Sequence, residues 1–391
     1  MSAAEETKDT EQQVEDLSNS DVVTKYRTAA EITNKALQGV ITQCVAGKDI
    51  AEICKFGDTL IERQTGMIFK SKKIDKGIAF PTCISVNECL SHFSPLKSES
   101  TTLNAGDLIK IDLGCHIDGY IAVVGHTMVV GESGTPTPAL TGPAADVVMA
   151  AHVASEVAHK TIKPGAKNTD VTKAIVRVAE EFGVTPMHGV VSHRLKRFVI
   201  EGNEHIPMFV DPEVKTEEFD FEANEVYAVD VMFSTGEGKP REREARTTVF
   251  KRAVEQSYKL KMKASRTLLT EVNKKFPSLP FTISSFEDER VGKMGVVECV
   301  KHELLTPYPV LYERAGTHVA HFKFTALLMP SGTLRVTGLP FDAATVQTDK
   351  TPSEETAKVL STSAKRKKRR GKKKGKAEGE GEAKAEAEAE A

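Results

Sequence analysis

The sequence predicts an α+β domain of two related α/β halves over residues 21–345, flanked by flexible ends at 1–20 and 346–391. Three observations predict it. Helical and strand periodicities are interspersed along the chain. A strand carrying an aspartate among apolar residues occurs twice, 118 residues apart. Apolar periodicity is missing at both ends.

The repeat is the most informative of these. Ala105-Gly-Asp-Leu-Ile-Lys-Ile-Asp112-Leu corresponds to Ala223-Asn-Glu-Val-Tyr-Ala-Val-Asp230-Val, and upstream Gly47 corresponds to Gly165. Each copy reads as a helix, a variable stretch and an acidic strand, the pattern of a duplicated unit with a cleft between its halves. Ile109, Ile111 and Leu113 alternate with Lys110 and Asp112, which places Asp112 on the face opposite the apolar ones. A carboxylate there is costly to bury unless something positive meets it.

In chain order, Val22, Tyr26, Ala29, Ala30, Leu37 and Val40 predict a helix to about Cys44. A second helix is predicted over 50–64, stopping at Gly66, and 70–76 reads as a basic surface segment. Residues 79–87 read as extended, 91–95 as a loop, and 108–127 as a strand pair. Residues 131–143 link the halves. Helices are predicted over 144–161 and 169–182, broken at Pro164-Gly165, then the second acidic strand over 225–233 and a turn at 234–240. Residues 241–265 are rich in Lys and Arg, 286–305 reads as a helix, and 319–328 as an alternating strand with Lys323 on its polar side.

Composition excludes some classes. No apolar run reaches the roughly 18 residues of a membrane span, and the N-terminus has no basic-then-apolar leader pattern. The six cysteines show no CxxC and read as reduced thiols of a cytosolic or nuclear protein. The net charge of −2 hides an asymmetry: six acids and one Lys in residues 1–20, but ten bases and no acid in 365–376. Those bases are Lys365, Arg366, Lys367, Lys368, Arg369, Arg370, Lys372, Lys373, Lys374 and Lys376. Such a run neutralises phosphates with counterion release, or serves as a nuclear address. An Ala/Glu-rich end follows it.

Asp112, His193 and Asp230 lie on separate predicted elements and are potential metal ligands. Eleven histidines and 55 acids make such triples easy to find by accident. His116, His126, His302 and His318 read as packing residues.

Further short segments carry a resemblance. Phe80-Pro-Thr82, Ser85-Val-Asn87, His92-Phe-Ser-Pro95, Asp107-Leu-Ile-Lys-Ile-Asp112-Leu-Gly114, Ser192-His193, Ser234-Thr-Gly236, Leu279-Pro-Phe281 and His321-Phe-Lys-Phe-Thr325 fall in the order of type II methionine aminopeptidases. The chain resembles that family over about residues 21–342. It is closer to a non-peptidase branch, the proliferation-associated or ErbB-receptor-binding proteins, in Val22-Val-Thr-Lys-Tyr26, Gly77-Ile-Ala-Phe-Pro-Thr82 and Met294-Gly-Val-Val-Glu-Cys299. The resemblance implies the pita-bread fold of two pseudo-related halves.

Carried over residue by residue, the resemblance puts the substrate-side histidine on His92, the first carboxylate ligand on Asp112 and the histidine ligand on His193. The second aspartate falls on Val123, a glutamate on the shorter Asp230, and the last glutamate on Lys323. Paired divalent cations need several carboxylates. Val123 offers no lone pair, and Lys323 brings a positive charge where a cation would sit, each unit interaction being worth roughly 4 kcal/mol at about 4 Å and an effective dielectric near 20. The expectation is a remnant cleft with no catalytic residue and no metal or other cofactor, in which the Lys323 ammonium neutralises Asp112 or Asp230.

The same resemblance implies association with ribosomes, ribosomal RNA and double-stranded RNA, and in some fungal members with curved DNA. The expected partners are structured or ribosomal RNA and ribosomal subunits, with curved DNA as a further candidate and no membrane. The expected state is a monomer in the cytoplasm, nucleus and nucleolus. An active methionine aminopeptidase and a curved-DNA-binding chromatin protein are the competing readings. No base-reading module stands out.

Overall fold

The computed structural model describes residues 15–71, 73–132, 139–210 and 217–364. The basic run 365–376 lies outside the described residues. The first half contains α1 (Ser20–Gln43), α2 (Ile50–Met67), β1 (Lys76–Val86), β2 (Leu108–Ile117) and β3 (Tyr120–Val129). The second contains α3 (Gly142–Thr161), α4 (Asn168–Phe182), β4 (Val191–Leu195), β5 (His205–Pro207) and β6 (Val226–Ser234). An inserted unit of β7 (Val249–Arg252), α5 (Lys263–Lys275), α6 (Glu289–Lys301) and β8 (Leu305–Tyr308) comes next. The chain returns through β9 (Val319–Met329) and β10 (Gly332–Arg335), and the last helix among the described residues is α7 (Glu354–Ser361).

Side chains set the helix starts. The Asn19 side chain accepts from Asp21 N to cap α1, and Asp49 accepts from Glu52 N to cap α2. One antiparallel sheet in the order β1-β2-β3-β9-β6-β4-β5 runs through both halves, extended by β10 beside β9 and by Thr185–Pro186 beside β6. The apolar faces of α1 and α2 pack on the first-half strands, with Leu37, Ile61, Ile111 and Val124 among the buried residues. Those of α3 and α4 pack on the second half, around Val157, Val178, Val229 and Phe324. The insert has its own small core of Leu268, Val272, Phe281 and Cys299.

The repeat is present in the backbone, bond for bond. Gly47 N donates to Leu103 O at 2.7 Å, and Gly165 N donates to Phe221 O at 2.8 Å. Gly106 N donates to Val130 O, as Asn224 N does to Leu328 O; Val130 N returns to Asp107 O, as Leu328 N does to Glu225 O. The Asp107 carboxylate accepts from Asn104 N at 2.8 Å, and Glu225 accepts from Glu222 N at 2.8 Å. Gly106 and Asn224 both adopt positive φ, at 88° and 74°, a conformation open to glycine and tolerated by asparagine.

Several sequence expectations need correction. The helix expected over 286–305 is shorter, because the Asp288 side chain caps it by accepting from Arg290 N and Val291 N, and Glu303 at φ 56° turns the chain out of it. The first strand of the pair expected over 108–127 is Leu108–Ile117, and all ten of its residues are buried, so both of its faces are covered rather than one. Helix α5 was not expected, since only its first three residues overlap the basic stretch 241–265 and its buried stripe is just Ser265, Leu268 and Val272, too sparse for a periodic signal. At the ends, Leu17 is 3 % exposed, and α7 docks through buried Thr356, whose hydroxyl donates to Glu181 at 2.8 Å. Ordered packing therefore begins before residue 20 and runs past 346.

Candidate functional site

The sheet register builds the site. Cys83, Asp112, Gly125, Lys323 and Asp230 face one another in a single row across β1, β2, β3, β9 and β6. Directly opposed residues share a face, so Asp112, Lys323 and Asp230 all project into the same cleft. Lys323 and Asp112 are separated by β3, where the row is occupied by Gly125. A Cβ there would sit 2.8 Å from Lys323 Cβ and 2.7 Å from His321 Cε1. The bare glycine is what lets the lysine cross over.

Lys323 Nζ lies 3.3 Å from Asp112 Oδ2 and 3.0 Å from Asp230 Oδ2. The expected ion pair is made with both carboxylates. Asp230 also accepts from His321 Nε2–H at 2.7 Å, and its backbone N–H donates to Ser192 Oγ at 2.8 Å. Burial opposes charge on Lys323 and Asp230, but attraction to their partners outweighs it. The two aspartates hold the Lys323 pKa above the ordinary lysine value, and Lys323 with His321 holds Asp230 well below the usual carboxylate range.

The cleft encloses about 340 Å³ and is lined by all six residues singled out in the sequence: His92, Asp112, Val123, His193, Asp230 and Lys323. His92 sits at φ 66°, and its Nδ1–H donates to Pro309 O at 3.0 Å, which turns its other nitrogen to the cleft. Its ring meets Tyr308 edge-on at 5.3 Å and Phe80 at 5.8 Å, forming an aromatic wall. Burial pushes its pKa down. His193 is likewise held neutral, its pKa pushed down to about 4 by burial, and its Nδ1 has no hydrogen-bond partner among the described residues. Asp112 Oδ1 also lacks one.

Three residues at the site were not predicted. His321 and Lys323 share a strand face two residues apart, a spacing visible in the sequence, yet only the lysine was singled out. Glu201 accepts from the Tyr308 hydroxyl at 2.6 Å and pairs with Lys251, tying the insert to the mouth of the cleft. These contacts depend on the insert's placement, which no local pattern specifies.

This donor set does not fit a pair of divalent cations. An ammonium stands between the two carboxylates, and Val123 contributes only methyl groups to the adjoining wall. Among the described residues no group of three or more His, Cys, Asp or Glu is arranged to hold a metal ion. Many of the core's basic residues are internally paired: Arg194 with Glu204 and Glu225, Arg197 with Asp118, Arg243 with Glu88 and Arg246 with Glu99.

Comparison with known proteins places this arrangement. The model of metallopeptidase family M24 matches residues 24–255. The chain is 49 % identical over 357 residues to ErbB-3 binding protein 1 of Solanum tuberosum, covering 90 % of this chain and 91 % of that protein. It is 44 % identical over 351 residues to proliferation-associated protein A of Dictyostelium discoideum, covering 90 % of each. It is 38 % identical over 324 residues to the curved DNA-binding protein of Schizosaccharomyces pombe, covering 81 % of this chain and 84 % of that one. The solved structure of a thermophilic Arx1 superposes with a TM-score of 0.84 at 31 % identity, over 89 % of this chain and 100 % of that one. A methionine aminopeptidase from Thermotoga maritima shares the fold, with a TM-score of 0.55 at 18 % identity over 82 % and 98 %. The fold is thus the pita-bread fold, and the chain belongs to metallopeptidase family M24, in the branch whose relatives carry the names ErbB-3 binding protein 1 and proliferation-associated protein A.

Proposed function

We propose that this protein is a non-enzymatic member of its family that carries structured RNA, binding ribosomal RNA and ribosomal subunits as a monomer in ribosome biogenesis, translation or growth control. It would act in the cytoplasm and in the nucleus or nucleolus. The observation that carries the loss of catalysis is the Lys323 ammonium seated between Asp112 and Asp230. On the family resemblance those are metal-ligand positions, and with Val123 at a third the cleft has no means of binding two cations or activating water between them. The run from Lys365 to Lys376 supplies a phosphate-neutralising segment whose binding is salt-sensitive and tolerant of sequence.

Co-sedimentation with ribosomal subunits tests this reading. The intact chain should travel with the subunits at low salt, and a chain ending at residue 364 should do so less and with a shallower salt dependence. Failure of the intact chain to sediment with them at any salt would reject it. The similarity to a curved DNA-binding protein favours a second reading, binding of curved DNA through the same tail. Filter binding of ribosomal RNA against bent duplex DNA at two salt concentrations separates the two, since the leading reading requires the RNA to be retained better than the DNA at both.

A further inference from the structure

A smaller cavity lies on the other side of the insert, between the end of α5 and the β2–β3 hairpin. It encloses about 110 Å³. One wall is His116, which is 8 % exposed. The Gly119 N–H donates to His116 Nδ1 at 3.3 Å, so Nδ1 is the acceptor and the ring proton is on Nε2. Burial pushes the imidazole pKa down to about 4, so at neutral pH the ring remains an uncharged donor. The ring lines the cavity, where the charges of Asp75 and Asp118 act on it. Phe198 fixes its tilt from 6.1 Å away, and the same phenyl ring covers Gly119, where a Cβ would meet it at 2.5 Å.

The rim is basic and comes from elements far apart in sequence: Lys76 opens β1, and Lys274 and Lys275 close α5, with Ser278 just beyond. Lys76 also donates to Ile68 O, and Lys275 pairs with Glu271 at 2.6 Å. Lys274 has no ion pair among the described residues. Asp75 and the last carbonyls of α5 oppose an anion here. With Asp75 opposing and Lys275 already paired with Glu271, three ammonium groups stand against two carboxylates and leave the rim positive by one charge.

We propose that this cavity is a socket for a single phosphate group, with His116 Nε2–H and the Ser278 hydroxyl donating to its oxygens and Lys76, Lys274 and Lys275 supplying the charge. A neutral imidazole donor backed by lysines suits a tetrahedral oxyanion, and the cavity has room for one. The phosphate could be a phosphodiester of a bound RNA or a free phosphate, and only the first of these rests on the RNA reading above.

The test uses the full chain labelled with ¹⁵N-histidine. Inorganic phosphate, then a structured ribosomal RNA fragment, is titrated while the His116 Nε2 resonance is followed, with chloride at equal ionic strength as control. Phosphate should move the resonance saturably, and Lys274→Glu, at an exposed position, should abolish the shift while leaving the other histidine signals in place. A shift with RNA that competes with phosphate assigns the socket to a phosphodiester; a shift with phosphate but not RNA assigns it to free phosphate. Silence of His116 toward both overturns the socket, even if filter binding still retains RNA. Conversely, a phosphate shift in a protein that retains no RNA keeps the socket and removes the RNA reading.

Discussion

Replacing Lys323 by methionine keeps the unbranched stem, one atom shorter, and removes its charge, leaving Asp112 and Asp230 facing each other across the cleft floor. The lysine makes contacts of 3.3 and 3.0 Å with them, and its side chain is 17 % exposed. At an effective dielectric near 20, each contact is worth roughly 5 kcal/mol of Coulomb energy before desolvation. Desolvation cancels much of this, and breaking such a buried pair from one side costs about 3–5 kcal/mol. Urea denaturation at pH 7 should therefore show Lys323→Met destabilised by that amount. The pH dependence follows from the shifts. Asp230 is held below its unfolded value, so its contribution is present above about pH 4 and is lost as pH falls toward its folded pKa. Lys323 is held above its unfolded value, so its contribution is complete below about pH 10 and is lost only as pH rises through its folded pKa. In Lys323→Met a carboxyl can relieve the repulsion by taking up a proton, so the gap between variant and parent should narrow between pH 7 and pH 4. A loss under about 1 kcal/mol, unchanged over that range, would refute the reasoning that a buried cation holds the cleft together.

Gly125→Ala should cost about 1–3 kcal/mol by overpacking, since the new methyl falls 2.7 Å from the His321 ring and 2.8 Å from Lys323 Cβ; thermal denaturation measures it. Glu313 is fully buried and accepts from Gly238 N at 2.7 Å and from Ser234 Oγ at 3.3 Å, so Glu313→Ala should cost about 3 kcal/mol and speed amide exchange across 234–238. His126 and His152 are both pushed down to about 4 by burial, whereas unfolded histidine titrates near 6.5. The unfolded chain therefore binds more protons between those values, and stability should fall as pH drops from about 6.5 to 4. His152→Phe, at a ring stacked 4.1 Å from Phe341, should flatten that slope in melts recorded across the range.

The duplicated acidic strand was legible because duplication preserves spacing, and Asp112 and Asp230 carry the repeat along with the backbone turns at Gly106 and Asn224. Lys323 was legible because a change of sign stands out against a family pattern. His321, Glu201 and Tyr308 were not, because their roles arise from register and from docking of the insert. The His321–Asp230 bond joins residues 91 positions apart, and the Tyr308–Glu201 bond joins residues 107 apart. Basic residues were countable in the sequence but their neutralisation was not: Arg243 and Arg246 find Glu88 and Glu99, roughly 150 residues upstream. The socket at His116 likewise needs β1, β2 and α5 brought together before its donors converge.

The most direct measurement is release of methionine from a Met-Ala-Ser peptide by the purified full-length chain, with cobalt or manganese added in excess and the metal bound after gel filtration counted on the same sample. With Lys323 seated between the two aspartates, no methionine above the buffer blank and no stoichiometric metal are expected. Turnover that His193→Ala abolishes, together with two retained cations per chain, would contradict it.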